Sequence, residues 1–101
     1  MRTDLKTDGD TAVIGLTGRF DFHGHRDFKG CCEAALEAPA IRRINVDLRA
    51  VEYLDSSALG MLLLLKERAD ARALQVSLLS SAGIVREILE VANFGVMFEM
   101  A

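Results

Sequence analysis

Apolar residues recur along this chain with two different periods, and the order in which the periods alternate predicts the fold. Thr11-Ala12-Val13-Ile14-Gly15-Leu16-Thr17 reads as a strand, with Leu5 to Thr17 forming a hairpin around the two-residue turn signal Asp8-Gly9. Gly18-Arg19-Phe20-Asp21 reads as a turn. A helix is predicted from about Gly24 to Ala38, where Phe28, Cys31 or Cys32, Ala35 and Leu36 fall at helical spacing and Pro39 ends it. Ile41 to Leu48 is the next strand, Val46 and Leu48 alternating with Asp47. A second helix spans Ala58 to Ala73 and Leu74 to Leu79 is a strand. Ser80 or Ser81 caps a third helix, Ala82 to Val91, with Ile84, Ile88, Leu89 and Val91 facing inward. Asn93-Phe94-Gly95 breaks that helix, and Val96-Met97-Phe98 is a short last strand. Strands alternating with helices predict an α/β domain with at least two parallel crossovers.

Composition narrows this picture. The 101 residues suffice for one domain with one core, and 50% apolar with 27% charged residues describes a globular chain. A net charge of −3, with Arg42-Arg43 the only adjacent basic pair, argues against a nucleic-acid partner. The N-terminus lacks an apolar signal segment, and the longest apolar run, Ala58 to Leu65, is too short to cross a bilayer. Cys31 and Cys32 are adjacent, which disfavours a structural disulfide; one should face inward as a small hydrophobe. A reducing cytoplasm is the expected location.

The candidate chemistry lies between the second strand of the crossover and its helix, at Tyr53-Leu54-Asp55-Ser56-Ser57-Ala58. Asp-Ser-Ser at a helix start reads as an N-cap. It also sets two hydroxyls at the positive end of a helix dipole, where backbone N–H groups receive anions. On a helical wheel of roughly 100° per residue, Leu65, Ala58, Ala69, Leu62 and Ala73 fall within roughly 80° and should face the sheet. Ser56 lies on nearly the opposite side, with Leu59, Leu63 and Glu67 following it at i+3, i+7 and i+11. So many apolar positions imply either burial on both sides or an exposed docking stripe beside the serine. The site also lies beyond the carboxyl end of a strand, the usual ligand edge of a parallel sheet, and Asp21 is expected on that edge.

Three segments carry a resemblance to a known family: Leu16-Thr17-Gly18-Arg19-Phe20-Asp21; Asn45-Val46-Asp47-Leu48 with Tyr53 to Gly60; and Gln75 to Leu79 with Val85-Arg86-Glu87-Ile88-Leu89. Over essentially its whole length the chain resembles the STAS-domain anti-sigma factor antagonists. The resemblance implies a single STAS domain over residues 1–101, with a mixed four- to five-stranded sheet, helices mainly on one face and an N-terminal hairpin. It implies a phosphoswitch: a partner serine kinase that is also an anti-sigma factor phosphorylates Ser56, with Ser57 as the fallback acceptor. Asp21 and Asp55 form the environment of the acceptor. A PP2C-type phosphatase reverses the step, and the unphosphorylated form binds the kinase and frees a sigma factor. The partner surface would comprise Leu59, Leu63 and Glu67. Ala58 replaces the family's usual Gly, favouring the helix by about 1 kcal/mol. The family's long C-terminal helix is expected to be missing.

Other chemistry is poorly supported. His23-x-His25 lacks a third ligand, so no metal or other cofactor is expected. The absence of a Gly-x-Ser-x-Gly elbow and of a phosphate-binding Gly-rich loop argues against an enzyme. The alternative to the phosphoswitch is a STAS module that binds a small ligand, or one that serves as a fixed subunit of a transport or signalling complex without a phosphorylation cycle.

Overall fold

In a computed structural model covering Met1–Ala101, one five-stranded sheet runs in the order β1-β2-β3-β4-β5. The strands are β1 (Arg2–Asp8), β2 (Thr11–Phe20), β3 (Arg43–Leu54), β4 (Gln75–Leu79) and β5 (Glu99–Met100). β1 pairs antiparallel with β2, and every later neighbour pair is parallel. The crossovers carry α1 (His25–Glu37), α2 (Ser56–Asp70), and α3 (Gly83–Val91) with the single turn α4 (Phe94–Met97). Successive right-handed crossovers advancing in one direction place their helices on one face. Accordingly, Ala12, Ile14, Ile44, Val46 and Leu78 of the strands share one core with Phe28, Leu62, Leu65 and Leu89 of the helices. The opposite face is polar: Arg43 donates to Ser77 Oγ at 3.1 Å and to Gln75 Oε1 at 2.7 Å.

The hairpin forms, but its turn is Gly9-Asp10 rather than Asp8-Gly9, because Asp8 pairs with Thr11. Gly9 has φ +61° and Asp10 does not share the positive sign, the pattern of a type II′ turn led by glycine. β2 and β3 both run past their predicted ends at Thr17 and Leu48. Register shifts between Gly15 and Thr17 and between Gly18 and Arg19 insert extra residues into β3. The buried positions there are Leu48, Val51 and Leu54, three apart, so the alternation that identifies a strand is lost. Gly18-Arg19-Phe20 is therefore strand and not turn.

α2 begins at Ser56, two residues earlier than predicted, and ends at Asp70 instead of Ala73. Ala73 adopts φ +58°, and the Leu74 N–H reaches back to the Ala69 carbonyl at 2.9 Å, closing the helix. Ala73 is consequently exposed and does not face the sheet. α3 starts at Gly83 with Ala82 in the cap position, so neither Ser80 nor Ser81 caps it. Val85 and Leu89 point inward and Ile88 is half-buried, whereas Ile84 and Val91 are 50% and 85% exposed, against expectation. The predicted strand Val96–Phe98 is also displaced. Asn93, at φ +62°, lets the chain restart as a helical turn in which Phe94 and Phe98 stack at 5.2 Å, and the strand follows at Glu99. Of the cysteines, Cys32 is buried and Cys31 half-buried; both are free.

Adjacent leucines on α2 test this packing. Leu62 is fully buried and Leu63 is 38% exposed. Leu62→Ala should cost about 2–5 kcal/mol through lost transfer energy and a cavity, whereas Leu63→Ala should stay within about 0.5 kcal/mol. Urea unfolding of both variants checks this; equal losses would contradict the assigned orientation of α2.

Candidate functional site

β2 and β3 run side by side to the same edge, Phe20 opposite Leu54, and each is followed at once by an aspartate. Each aspartate caps what comes next. Asp21 accepts from the His23 N–H at 3.0 Å and so closes the 3-10 turn Phe22–Gly24. Asp55 accepts from the Ala58 N–H at 2.9 Å at the start of α2. The Asp55 N–H donates to the Phe20 carbonyl at 3.3 Å, tying the two strand ends together. The predicted cap is therefore Asp55 alone; Ser56 and Ser57 lie inside the helix.

The two serines differ in what their hydroxyls do. Ser57 is half-buried and donates to Asp55 Oδ1 at 2.6 Å. Ser56 is exposed, and its hydroxyl is held by no side chain or backbone group. At the first helical position its N–H is one of the donors an α-helix leaves without an internal partner. Ala58 is fully buried, so its methyl group belongs to the core and anchors the helix start.

The Asp55 carboxyl titrates below the usual carboxylate range. The Ser57 hydroxyl is the main cause; partial burial opposes it, and the N–H groups of Ala58, Phe22 and Ser57 add to the lowering. Asp21 also faces Arg19, at 4.0 Å, and the Arg19 guanidinium lies 4.7 Å from the centre of the Tyr53 ring. Arg19 and Tyr53 are register partners that sequence reading missed, because it ended both strands too early. Phe22 is 70% exposed between His23 and His25, with ring centroids 6.3 and 6.4 Å away.

Below Ser56 the apolar surplus of α2 divides. Leu59 is half-buried and lines an open groove with Ile84, Ile88, Val91 and Ala92 of the α3 segment, flanked by Glu87 and Glu90. Leu63, Leu64 and Glu67 are exposed. The stripe beside the serine thus combines partial burial with exposure, rather than being only one of the two. No helix is long and apolar enough to cross a membrane.

Comparison with known proteins places this geometry among STAS domains. A family model described as "Mlab, STAS domain" matches residues 3–99. A STAS-domain containing protein of Pseudomonas aeruginosa (strain UCBPP-PA14) is 46% identical over 94 residues, covering 93% of this chain and 91% of that protein. The anti-sigma factor antagonist SpoIIAA in its unphosphorylated form superposes with a TM-score of 0.77 at 23% identity, over 99% of this chain and 87% of that one. The phosphorylated form of the same Bacillus protein gives 0.76. A sulfate transporter family protein from Wolinella succinogenes gives 0.74 at 18% identity, over 87% and 70% of the two chains. At these identities the superpositions establish the fold, which regulators and transporter proteins share.

Asp55→Ala should destabilise the protein by about 1 kcal/mol through loss of the cap. Asp55→Asn keeps a capping oxygen but removes the titration. A carboxylate with a lowered folded pKa contributes stability that is fully present above its unfolded value, about 3.9, and is lost as pH falls through the folded value. Wild-type stability should therefore fall more steeply below about pH 4 than that of Asp55→Asn. Parallel pH profiles from urea unfolding would refute this cap assignment.

Proposed function

Because the chain belongs to the STAS-domain family, we propose that it is a phosphorylation-switched protein-binding module, an anti-sigma factor antagonist whose acceptor is Ser56. One observation carries this reading. Of the two hydroxyls after Asp55, that of Ser56 is exposed and free, while that of Ser57 is committed to Asp55 at 2.6 Å. The partner is a serine kinase that doubles as an anti-sigma factor, and a PP2C-type phosphatase restores the hydroxyl. Catalysis belongs to these partners, in the cytoplasm.

Magnitudes decide where the switch acts. A phosphate adds about −1.5 to −2 charges. The helix start favours an anion by about 0.3–1 kcal/mol, and the half-buried Asp55 carboxylate opposes a phosphate on the exposed Ser56 by a comparable amount through solvent. The fold therefore tolerates the modification. In a complex the same charge is pressed against the surface that grips Leu59 and Leu63, and stripping water from it costs several kcal/mol. Phosphorylation thus releases the partner without unfolding the domain. Asp21 is held by the 3-10 turn and Arg19, a fixed negative group at the same sheet edge.

The likeness to a sulfate transporter family protein favours a second reading, a fixed subunit of a transport complex with no phosphorylation cycle. Incubation with the partner kinase and Mg-ATP separates the two. Intact mass should show one added phosphate on wild type and on Ser57→Ala, and none on Ser56→Ala. Ser56→Ala should retain kinase binding, and Ser56→Asp should weaken it by about tenfold or more. Equal binding by these two variants, or a phosphate that persists in Ser56→Ala, would defeat the phosphoswitch.

A further inference from the structure

On the flank of α2 away from α3, a cavity of about 90 Å³ lies in the crevice between α1 and α2. Both helices contribute residues at the same spacing, positions 25, 28, 29 and 32 of α1 and 61, 64, 65 and 68 of α2. Seven residues of helix span about 10 Å, which sets the length of the crevice. Its floor is Phe28, Cys32, Met61 and Leu65, all buried, and the half-exposed Leu64 forms one wall. Every charged or ionisable group on its rim is basic: Lys29, Arg68 and His25. Lys29 and His25 enter no ion pair, and Arg68 meets Glu33 only at 3.8 Å, with both side chains well exposed. Burial is the main cause that pushes the Cys32 thiol up to about 12, so the floor is uncharged and unreactive at neutral pH.

Size, polarity and charge together define an occupant. The crevice is open to solvent and encloses less than the about 150 Å³ that accommodates a benzene ring, so it suits a single alkyl thread lying along its floor with part of its surface in water. The cationic rim beside an apolar floor calls for an anionic head on that thread. We propose that the α1–α2 crevice binds a medium-chain fatty carboxylate, with its alkyl chain over Phe28, Cys32, Met61 and Leu65 and its carboxylate against Lys29 and Arg68. Guanidinium and ammonium groups both suit a carboxylate, and a chain of about eight carbons matches the about 10 Å span. Such a ligand would brace α2, the helix that presents Ser56, against α1. The inference does not depend on the phosphoswitch, and no kinase is needed to test it.

Titration of the full chain with sodium octanoate, followed by amide NMR and thermal melting, provides the test. Octanoate at about millimolar concentration should shift amides of residues 25–32 and 61–68 and raise the melting temperature. Octanol, which lacks the charge, and acetate, which lacks the tail, should each bind at least about fivefold more weakly. Lys29→Glu changes an exposed residue; it should leave the ligand-free melt unchanged and weaken octanoate at least about fivefold. Four outcomes would overturn the proposal: no shifts up to about 10 mM, shifts centred on the Leu59–Ile84 groove, octanol matching octanoate, or Lys29→Glu binding like wild type. Octyl phosphate binding more tightly than octanoate would overturn the carboxylate assignment.

Discussion

The Asp55 carboxylate holds the candidate site of this molecule in place. One of its oxygens receives both the Ala58 N–H and the Ser57 hydroxyl, and its own N–H reaches the end of the neighbouring strand. Those bonds fix where α2 begins, which hydroxyl is occupied and which is free. An aspartate is suited to this because its short side chain can satisfy helix donors from an extended backbone, here at φ −105° and ψ −177°. Being charged, it also strengthens each bond it accepts. The price of using a carboxylate is a negative group next to the hydroxyl that takes the phosphate under the proposed function.

The sheet sets the other half of the geometry. Parallel pairing of β2 with β3 brings two strand–aspartate junctions to one edge, although Asp21 and Asp55 are far apart in sequence. The bulges in β3 matter here. Without the extra residues, β2 and β3 could not end together with Phe20 beside Leu54, nor would Arg19 lie over Tyr53. A local irregularity in pairing thus aligns the site, which is where bulges are commonly found.

Much of this was legible in the sequence, and the illegible parts have identifiable causes. The alternation of strands and helices, the hairpin and the inward face of α2 at Ala58, Leu62, Leu65 and Ala69 follow from periodicity, which long elements express strongly. The ends of β2 and β3 were hidden because bulges replace a period of two by a period of three. The left-handed residues Ala73 and Asn93 were not signalled by glycine, so the end of α2 and the turn at Phe94 were missed. At the site, Asp55, Ser56 and Ser57 were visible as a helix start. Which residue caps, and which hydroxyl remains free, depends on distances of a few tenths of an ångström that no spacing rule supplies.

The misreading of α3 has a physical meaning of its own. Ile84, Ile88, Leu89 and Val91 suggested one apolar face, yet the helix turns Val85 and Leu89 to the core and leaves Ile84 and Val91 in water. A single exposed apolar residue is ordinary, but these two join Leu59 in a groove continuous with the helix that carries Ser56. α2 is flanked on one side by this groove and on the other by the basic-rimmed crevice against α1. Its central position explains its composition: the sheet takes one arc of its surface, two neighbouring helices border the next two, and apolar residues are favoured in all three. The strip carrying Ser56, Gly60, Leu63, Glu67 and Asp70 faces water. As a share of its length α2 is the least exposed of the helices, and the free hydroxyl of Ser56 occupies one of its exposed positions.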